Sequence, residues 1–408
     1  MRPLDELRLV ERASVFKART LAGSLERRKD SVVFAYSEAY LNSDRLPVAT
    51  SLPLDEGPSV THAPGALPPF FAGLLPEGRR LSALRRAVKT SADDELTLLL
   101  AVGGDAVGDV QIIPEGDELA EETEARVTVS DWHEVRFADL FDQSAGGGKG
   151  VDRVAIPGVQ DKVSARMINV PVASSGGRYM LKLNPPEVPN LVANEAFFLK
   201  AGEKAGLEMA AASVVTDREG AEGLLVDRFD REDDGKEGVR LLAQEDACQV
   251  LSRYPADKYR LTTEEVIGGL AEVCMARPVA AQRLLKQFAF AYVTCNGDAH
   301  AKNFSVQFKR GEWRPTPMYD VPTSYVYGDH TMALRLNGKD RENIGRSDFL
   351  ELGATVGLRT RAVESALDGI CETVPDWIDG VRGLPFDKGL LEKLRRAIEY
   401  RRDRLAGL

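Results

Sequence analysis

Apolar residues recur at helical spacing through residues 279–295, VAAQRLLKQFAFAYVTC, which predicts a buried helix. The pattern then breaks. NGDAHAKNF, residues 296–304, packs an aspartate, a histidine, a lysine and two asparagines into nine positions. Period-two alternation follows in FSVQFK, with Phe304, Val306 and Phe308 on one face and Ser305 and Gln307 on the other. RGE turns the chain and WRPTPMYD returns it to Asp320, predicting an antiparallel pair. Prolines at 315 and 317 leave the return strand irregular or at an edge. A segment as polar as 296–304 is usually a solvated loop, yet it joins two elements that must both be buried.

Elsewhere the same reading gives an α+β module at the N-terminus. SVVFAYSEAYL (31–41) and GDVQIIPEG (108–116) read as strands, while RRLSALRRAVK (79–89) and DDELTLLLAV (93–102) read as helices. The glycine-rich DQSAGGGKG (142–150) marks a linker or mobile loop. Beyond it, DKVSARMINV (161–170), RYMLKLN (178–184), MAAASVVTD (209–217) and GAEGLLVDRF (220–229) read as strands. NEAFFLKAGEKAG (194–206) is a helix stopped near Gly206. From about residue 240 the pattern is mostly helical: AQEDACQVLSR, TTEEVIGGLAEVC and the closing GLLEKLRRAIEYRRDRL. The expected domains are 1–145, a sheet-rich 146–235 and a mainly helical 236–408.

With 408 residues the chain has ample core for two or three domains. A net charge of −10 argues against direct binding to nucleic acid, which requires a cationic surface, although a basic partner would bring the chain to DNA. Cys248, Cys274, Cys295 and Cys371 form no CxxC pair and read as reduced thiols of a cytoplasmic protein. No apolar run of 18 residues and no signal-peptide core is present, so membrane insertion and export are disfavoured.

The chemistry concentrates at the polar loop. If the two strands pair, their outer ends lie about 4.8 Å apart, and Asn303 and Asp320 face one point with Asp298 close by. Two carboxylates and an amide oxygen suit a hard divalent cation such as Mg²⁺. Asp298 is then the group to orient and deprotonate an attacking hydroxyl, and Asp298 to Asn303 has the D-x-x-x-x-N offset of a protein-kinase catalytic loop. Asp and Asn that merely cap turns in a surface loop are the alternative. On the phosphate side, PGVQDK (157–162) offers a glycine and Lys162 but no Walker A pattern, and taken alone it reads as a plain turn. Lys182 projects from the strand face opposite Leu181 and Leu183, as an edge charge or a phosphate ligand. Glu195, thirteen positions on, is placed either to pair with it or simply to favour a first helical turn. LLVDRFDR (224–231) runs from an apolar strand into a polar crossing, where backbone groups could meet an adenine edge.

These motifs, NGDAHAKNFS, MYDVPTS, PGVQDKVS, YMLKLN, the NE pair, LLVDRFDR and the N-terminal FFAGLLPEG, resemble in content and order the HipA-type toxin kinases. AVGGDAVGDVQIIPEG is similar to the end of their N-terminal subdomain, so the resemblance covers nearly the whole chain. It implies an α+β two-lobed fold related to phosphoinositide-kinase-like kinases, with an N-terminal subdomain, a small sheet-rich lobe and a larger helical lobe. It also implies a serine/threonine kinase of a type II toxin–antitoxin system. Site residues implied by the resemblance are ATP contacts at Gly158, Val159, Gln160, Lys162 and Lys182, and hinge contacts at Asp227 and Phe229. Asp298 becomes the catalytic base, His300 and Asn303 loop contacts, and Asp320 a metal ligand. ATP and Mg²⁺ are the implied cofactors, and a HipB-like DNA-binding antitoxin is the implied partner. Family substrates include aminoacyl-tRNA synthetases, especially the glutamyl enzyme, whose phosphorylation arrests translation and favours persistence.

One position departs from the family pattern. Ala155 in RVAIPG stands where the family usually carries a serine whose autophosphorylation ejects the glycine loop. Alanine has no hydroxyl, so either this chain lacks that brake or the position has been altered, and no phosphate is expected on residues 153–162. A catalytically dispensable nucleotide-binding co-repressor and a small-molecule transferase are the rival functions. His62, His133 and His330 read as structural, and the arginine-rich KLRRAIEYRRDRL as a solvated helix face with i,i+4 pairs, with contact to an antitoxin or the DNA backbone as the alternative.

Overall fold

The structure, a computed structural model, describes residues 3–29, 31–55, 57–60, 65–119, 128–144, 168–174, 177–185, 187–233 and 238–408. Ala155, Gly158, Val159, Gln160, Lys162 and His62 lie outside the described residues. The chain divides into two compact units. The first is drawn from Met1–Val159, Ile168–Met180 and Arg228–Pro255, the second from Gln160–Met167, Leu181–Asp227 and Ala256–Leu408. The chain passes between them within the strand Gly177–Leu183.

The first unit is built on a five-stranded sheet in the order Ser59–Val60, Ser31–Tyr36, Thr20–Arg28, Arg12–Lys17, Val110–Pro114. Each neighbouring pair is antiparallel. Ala13, Val15, Leu25, Val32 and Phe34 bury one side with Leu84 and Val88 of helix Gly78–Val88 and Leu96, Leu98 and Leu99 of helix Glu95–Val102. The strand predicted over 31–41 stops at Tyr36. Ser37 accepts a hydrogen bond from the Tyr40 amide (3.3 Å) and caps a single helical turn, Glu38–Leu41. The predicted helix AQEDACQVLSR is likewise corrected: Gln244–Asp246 is a strand, and only Ala247–Val250 is helical. Asp246 and Gln249 form a reciprocal capping box that fixes the helix start inside the segment.

In the second unit, helix Arg277–Val293 is the core element, as its periodicity predicts. Leu284, Leu285, Phe288, Phe290 and Tyr292 have no exposed surface. Helices Thr263–Glu272, Arg346–Thr355, Thr360–Thr373 and Lys388–Ala406 pack around it. Strands Ala212–Thr216 and Glu222–Asp227 pair antiparallel, and helix Leu191–Lys204 packs on them, stopping before Gly206 at φ 71°. The four cysteines are free and buried. No helix among the described residues is long and apolar enough to cross a membrane.

Candidate active site

The hairpin after the polar loop forms over Ser305–Lys309 and Glu312–Pro315, with Val306 opposite Pro315 and Lys309 opposite Glu312. Arg310 and Gly311 both take positive φ (56° and 84°), as the two-residue turn that matches strand twist requires. Pairing ends at Pro315, short of the return to Asp320 expected from sequence. Two prolines remove ladder donors there, and the chain turns to another partner: the Met318 amide donates to the Glu208 carbonyl (2.8 Å), and the Ala210 amide to the Met318 carbonyl (2.9 Å).

The polar loop is not a solvated surface. Asn296, Asp298, His300 and Asn303 are all buried, Asp298 at 1% exposure. Buried polar groups must find partners, and this loop finds them both within itself and in distant segments. The Asp298 amide donates to Asn296 Oδ1 (3.0 Å), and the Asp298 carbonyl accepts from the His300 amide (2.8 Å) and Asn303 Nδ2 (3.1 Å). From outside, the Tyr259 hydroxyl donates to Asp298 Oδ1 (2.6 Å), and the Ala301 amide donates to the Lys258 carbonyl (3.1 Å). The Tyr259 ring stands edge-on to His300 with centroids 5.0 Å apart. A side chain on Gly297 would have no room: a Cβ there would lie 2.6 Å from Ser324 Oγ and 2.7 Å from the Thr331 carbonyl.

Asp320 is held to the same loop. Asn296 Nδ2 donates to the Asp320 carbonyl (3.1 Å), and the Tyr319 hydroxyl donates to the Lys302 carbonyl (2.8 Å). Asp320 adopts φ 56°, a left-handed conformation that Asp tolerates better than most residues. Its carboxylate, 27% exposed, meets Lys182 Nζ, which also donates to Glu195 Oε1 (2.7 Å). The Lys182–Glu195 pairing expected from sequence is therefore present, with both side chains buried. Glu195 sits one turn inside its helix rather than at the start. Burial alone would lower the Lys182 pKa, but Asp320 and Glu195 outweigh it and hold the ammonium protonated. Burial pushes the Glu195 carboxyl up; Lys182 opposes this, and Asp320 adds to it, so the net direction is upward. Two carboxylates share one ammonium.

Asp227 ends the strand Glu222–Asp227 with an exposed side chain, its carboxyl raised by partial burial, and Phe229 is half-buried. Several contributors escaped sequence reasoning. Asn194 is fully buried and clamps Thr323 through both amide atoms: Nδ2 donates to the Thr323 carbonyl (2.9 Å), and Oδ1 accepts from the Thr323 amide (3.0 Å). Together, Asn194 fixes the segment after Asp320 while Glu195 fixes Lys182. The asparagine next to the glutamate was the visible signal. Tyr259 and Asn296 had none beyond Asn296's place in the polar run.

Among the described residues no group of three or more His, Cys, Asp and Glu side chains is arranged to hold a metal. Mg²⁺ does not require one, since it is usually bound by one or two carboxylates plus water and substrate phosphate. The donor set fits that pattern. Asp320 offers a part-exposed carboxylate within a cluster carrying one excess negative charge. The Asn303 Nδ2 bond to the loop carbonyl turns its Oδ1 away from that carbonyl.

Comparisons with known proteins identify the family and the fold. The HipA-like C-terminal domain model matches residues 154–378, over half the chain, and the HipA N-terminal domain model matches 13–113. The chain belongs to the HipA family. It is 28% identical over 396 residues to the Sinorhizobium fredii protein Y4mE, covering 92% of this chain and 93% of that protein. It is 26% identical over 380 residues to the serine/threonine-protein kinase toxin HipA of Shewanella oneidensis, covering 87% of this chain and 85% of that protein. The solved Shewanella oneidensis HipA, HipB and operator DNA complex contains a chain matched at a TM-score of 0.75 and 21% identity, covering 97% and 98% of the two chains. The fold is thus the α+β HipA fold expected from the sequence.

Proposed function

We propose that this HipA-family chain is an ATP-dependent serine/threonine protein kinase of toxin type. The supporting observation is the buried loop Asn296–Asn303, bonded to Asp320, whose carboxylate meets the Lys182–Glu195 pair. In this reading Asp298 accepts the proton of the attacking serine hydroxyl, with Tyr259 and the loop amides holding its carboxylate in place. Asn303 and Asp320 would hold Mg²⁺, and Lys182, fixed by Glu195, would meet ATP phosphate oxygens. Bound Mg·ATP supplies the phosphoryl group and an electropositive clamp on its oxygens. The glycine loop with Gly158, Val159, Gln160 and Lys162 would complete the phosphate contacts, His300 would touch the nucleotide, and Asp227 and Phe229 would serve the hinge. Segments 146–235 and 236–408 are then the kinase lobes, and Ala155 removes the autophosphorylation brake.

The protein substrate in this proposal is an aminoacyl-tRNA synthetase such as the glutamyl enzyme, with a HipB-like antitoxin as neutralising partner and the cytoplasm as the place of action. The test is Asp298→Asn with radiolabelled ATP and cell lysate. Transfer to a protein band should fall by about 10²- to 10⁴-fold while nucleotide affinity stays within about twofold. Unchanged transfer would remove Asp298 from its role. Nucleotide binding with no labelled band in wild type would point to a co-repressor instead.

A further inference from the structure

An open surface cleft of mixed polar and apolar lining lies in the helical part of the second unit and takes no part in the site above. It has a volume of about 350 Å³ and is bounded by Tyr325 and His330 on one side and the closing helix Lys388–Ala406 on the other. Lys393, Arg396 and Tyr400 reach it from successive turns of that helix, and all three are exposed. Three cationic side chains, Lys393, Arg396 and Arg401, line it against one carboxylate, Glu342, in a chain whose net charge is −10.

The cleft is also aromatic. The Tyr325 and His330 rings stack with centroids 4.1 Å apart and planes 14° from parallel, and Tyr400 is 48% exposed. Its floor is rigid. Arg401, 2% exposed, donates to the Tyr292 carbonyl (2.9 Å) and the His330 carbonyl (2.8 Å), and its guanidinium lies 5.0 Å from the Tyr292 ring centroid. Arg401 thereby fixes the His330 backbone to the last turn of the helix that leads into the polar loop. This arginine belongs to the tail read from sequence as a solvated face. The expected i,i+4 pair does form there, Arg395 to Glu399 at 2.6 Å, but Arg401 is internal.

We infer that this cleft binds a nucleoside monophosphate, with the phosphate on Lys393 and Arg396 and the base against the Tyr325–His330 stack and Tyr400. The volume is in the range of small-ligand sites, about 300–1,000 Å³. Exposed cations beside aromatic faces are the combination that recognises a phosphate joined to a flat ring. A bare anion site would have no use for the aromatic wall, and a purely apolar ligand none for the cations.

The test is calorimetric titration of the full chain with GMP, inorganic phosphate and guanosine, with hydrogen exchange to locate the binding. GMP should protect the segments around 325–330 and 393–401. It should bind about tenfold more tightly than either fragment, since loss of one stacked base or one charge contact typically costs that much. Lys393→Ala/Arg396→Ala and Tyr400→Ala change exposed helix positions and should keep the wild-type melting midpoint. Each should weaken the GMP-dependent protection at least about tenfold. Absence of protection at these segments, protection by phosphate equal to that by GMP, or indifference to both variants would overturn the assignment. Transfer activity lost through Asp298 reports on the kinase proposal separately.

Discussion

Both units bury a cluster of charges, and the two clusters are built to opposite rules. In the first unit Arg228 and Arg231 face Asp105 and Asp230, two cations to two anions. Asp230 Oδ2 accepts from Arg228 Nη2 (2.9 Å), Arg231 Nη1 (2.7 Å) and the Gly108 amide (3.0 Å). Burial would raise the Asp230 carboxyl, but the two arginines and the amide overcome it and hold it below the usual range. In the second unit Lys182 faces both Glu195 and Asp320, and the Glu195 carboxyl is pushed up instead. A balanced buried network satisfies each charge and holds structure together. An unbalanced one keeps a negative charge poorly compensated, which suits a cluster that receives a cation.

The contrast is broken or sharpened most strongly by neutralising one acid in each cluster. Asp230→Asn leaves two buried arginines to share the single carboxylate of Asp105 and should cost about 3 kcal/mol in urea unfolding. Glu195→Gln leaves a one-to-one Lys182–Asp320 pair and should cost about 1 kcal/mol or less, while phosphate transfer falls. Equal losses of stability would show that charge balance does not separate the clusters.

Gly297→Ala comes next. The added methyl must displace Ser324 or the Thr331 backbone, so a loss of about 1–3 kcal/mol is expected, read from the melting midpoint.

The pH dependence of stability should run in opposite directions. Asp230 binds fewer protons folded than unfolded. Its stabilisation is complete above its ordinary value of 3.8 and is lost as pH falls through the lower folded value. Glu195 binds more protons folded. The stability linked to its protonation is present below 4.5 and is lost as pH rises through the raised folded value. Urea unfolding from pH 3 to 8 should therefore show Asp230→Asn losing the acid-side slope and Glu195→Gln losing the slope on the other side. The smallest effect belongs to Tyr259→Phe, which removes one hydrogen bond to Asp298 and should slow transfer about threefold with the fold intact. An unchanged rate would take Tyr259 out of the positioning scheme.

The residues that sequence reasoning found are those whose placement follows from local period. Helix Arg277–Val293, the hairpin turn at Arg310–Gly311 and the strand that points Lys182 at the following helix all depend on spacing that a few residues define. The polar loop could be singled out because polar residues between two buried elements conflict with simple patterning. Its burial, however, rests on partners far along the chain. Tyr259 lies 39 positions from Asp298, and Asn194 lies 129 from Thr323. Arg401 reads as one more arginine of an exposed tail until the packing of its helix brings it under Tyr292 and His330. The sequence by itself determined most of the long elements and where their polar interruption falls, because backbone period and turn chemistry are local. Short segments such as Glu38–Leu41 and Gln244–Asp246 are misread from local pattern. Only the tertiary structure decided which charges are shared and which are balanced, because hydrogen bonds and ion pairs depend on distances of a few ångströms between segments that spacing along the chain does not encode.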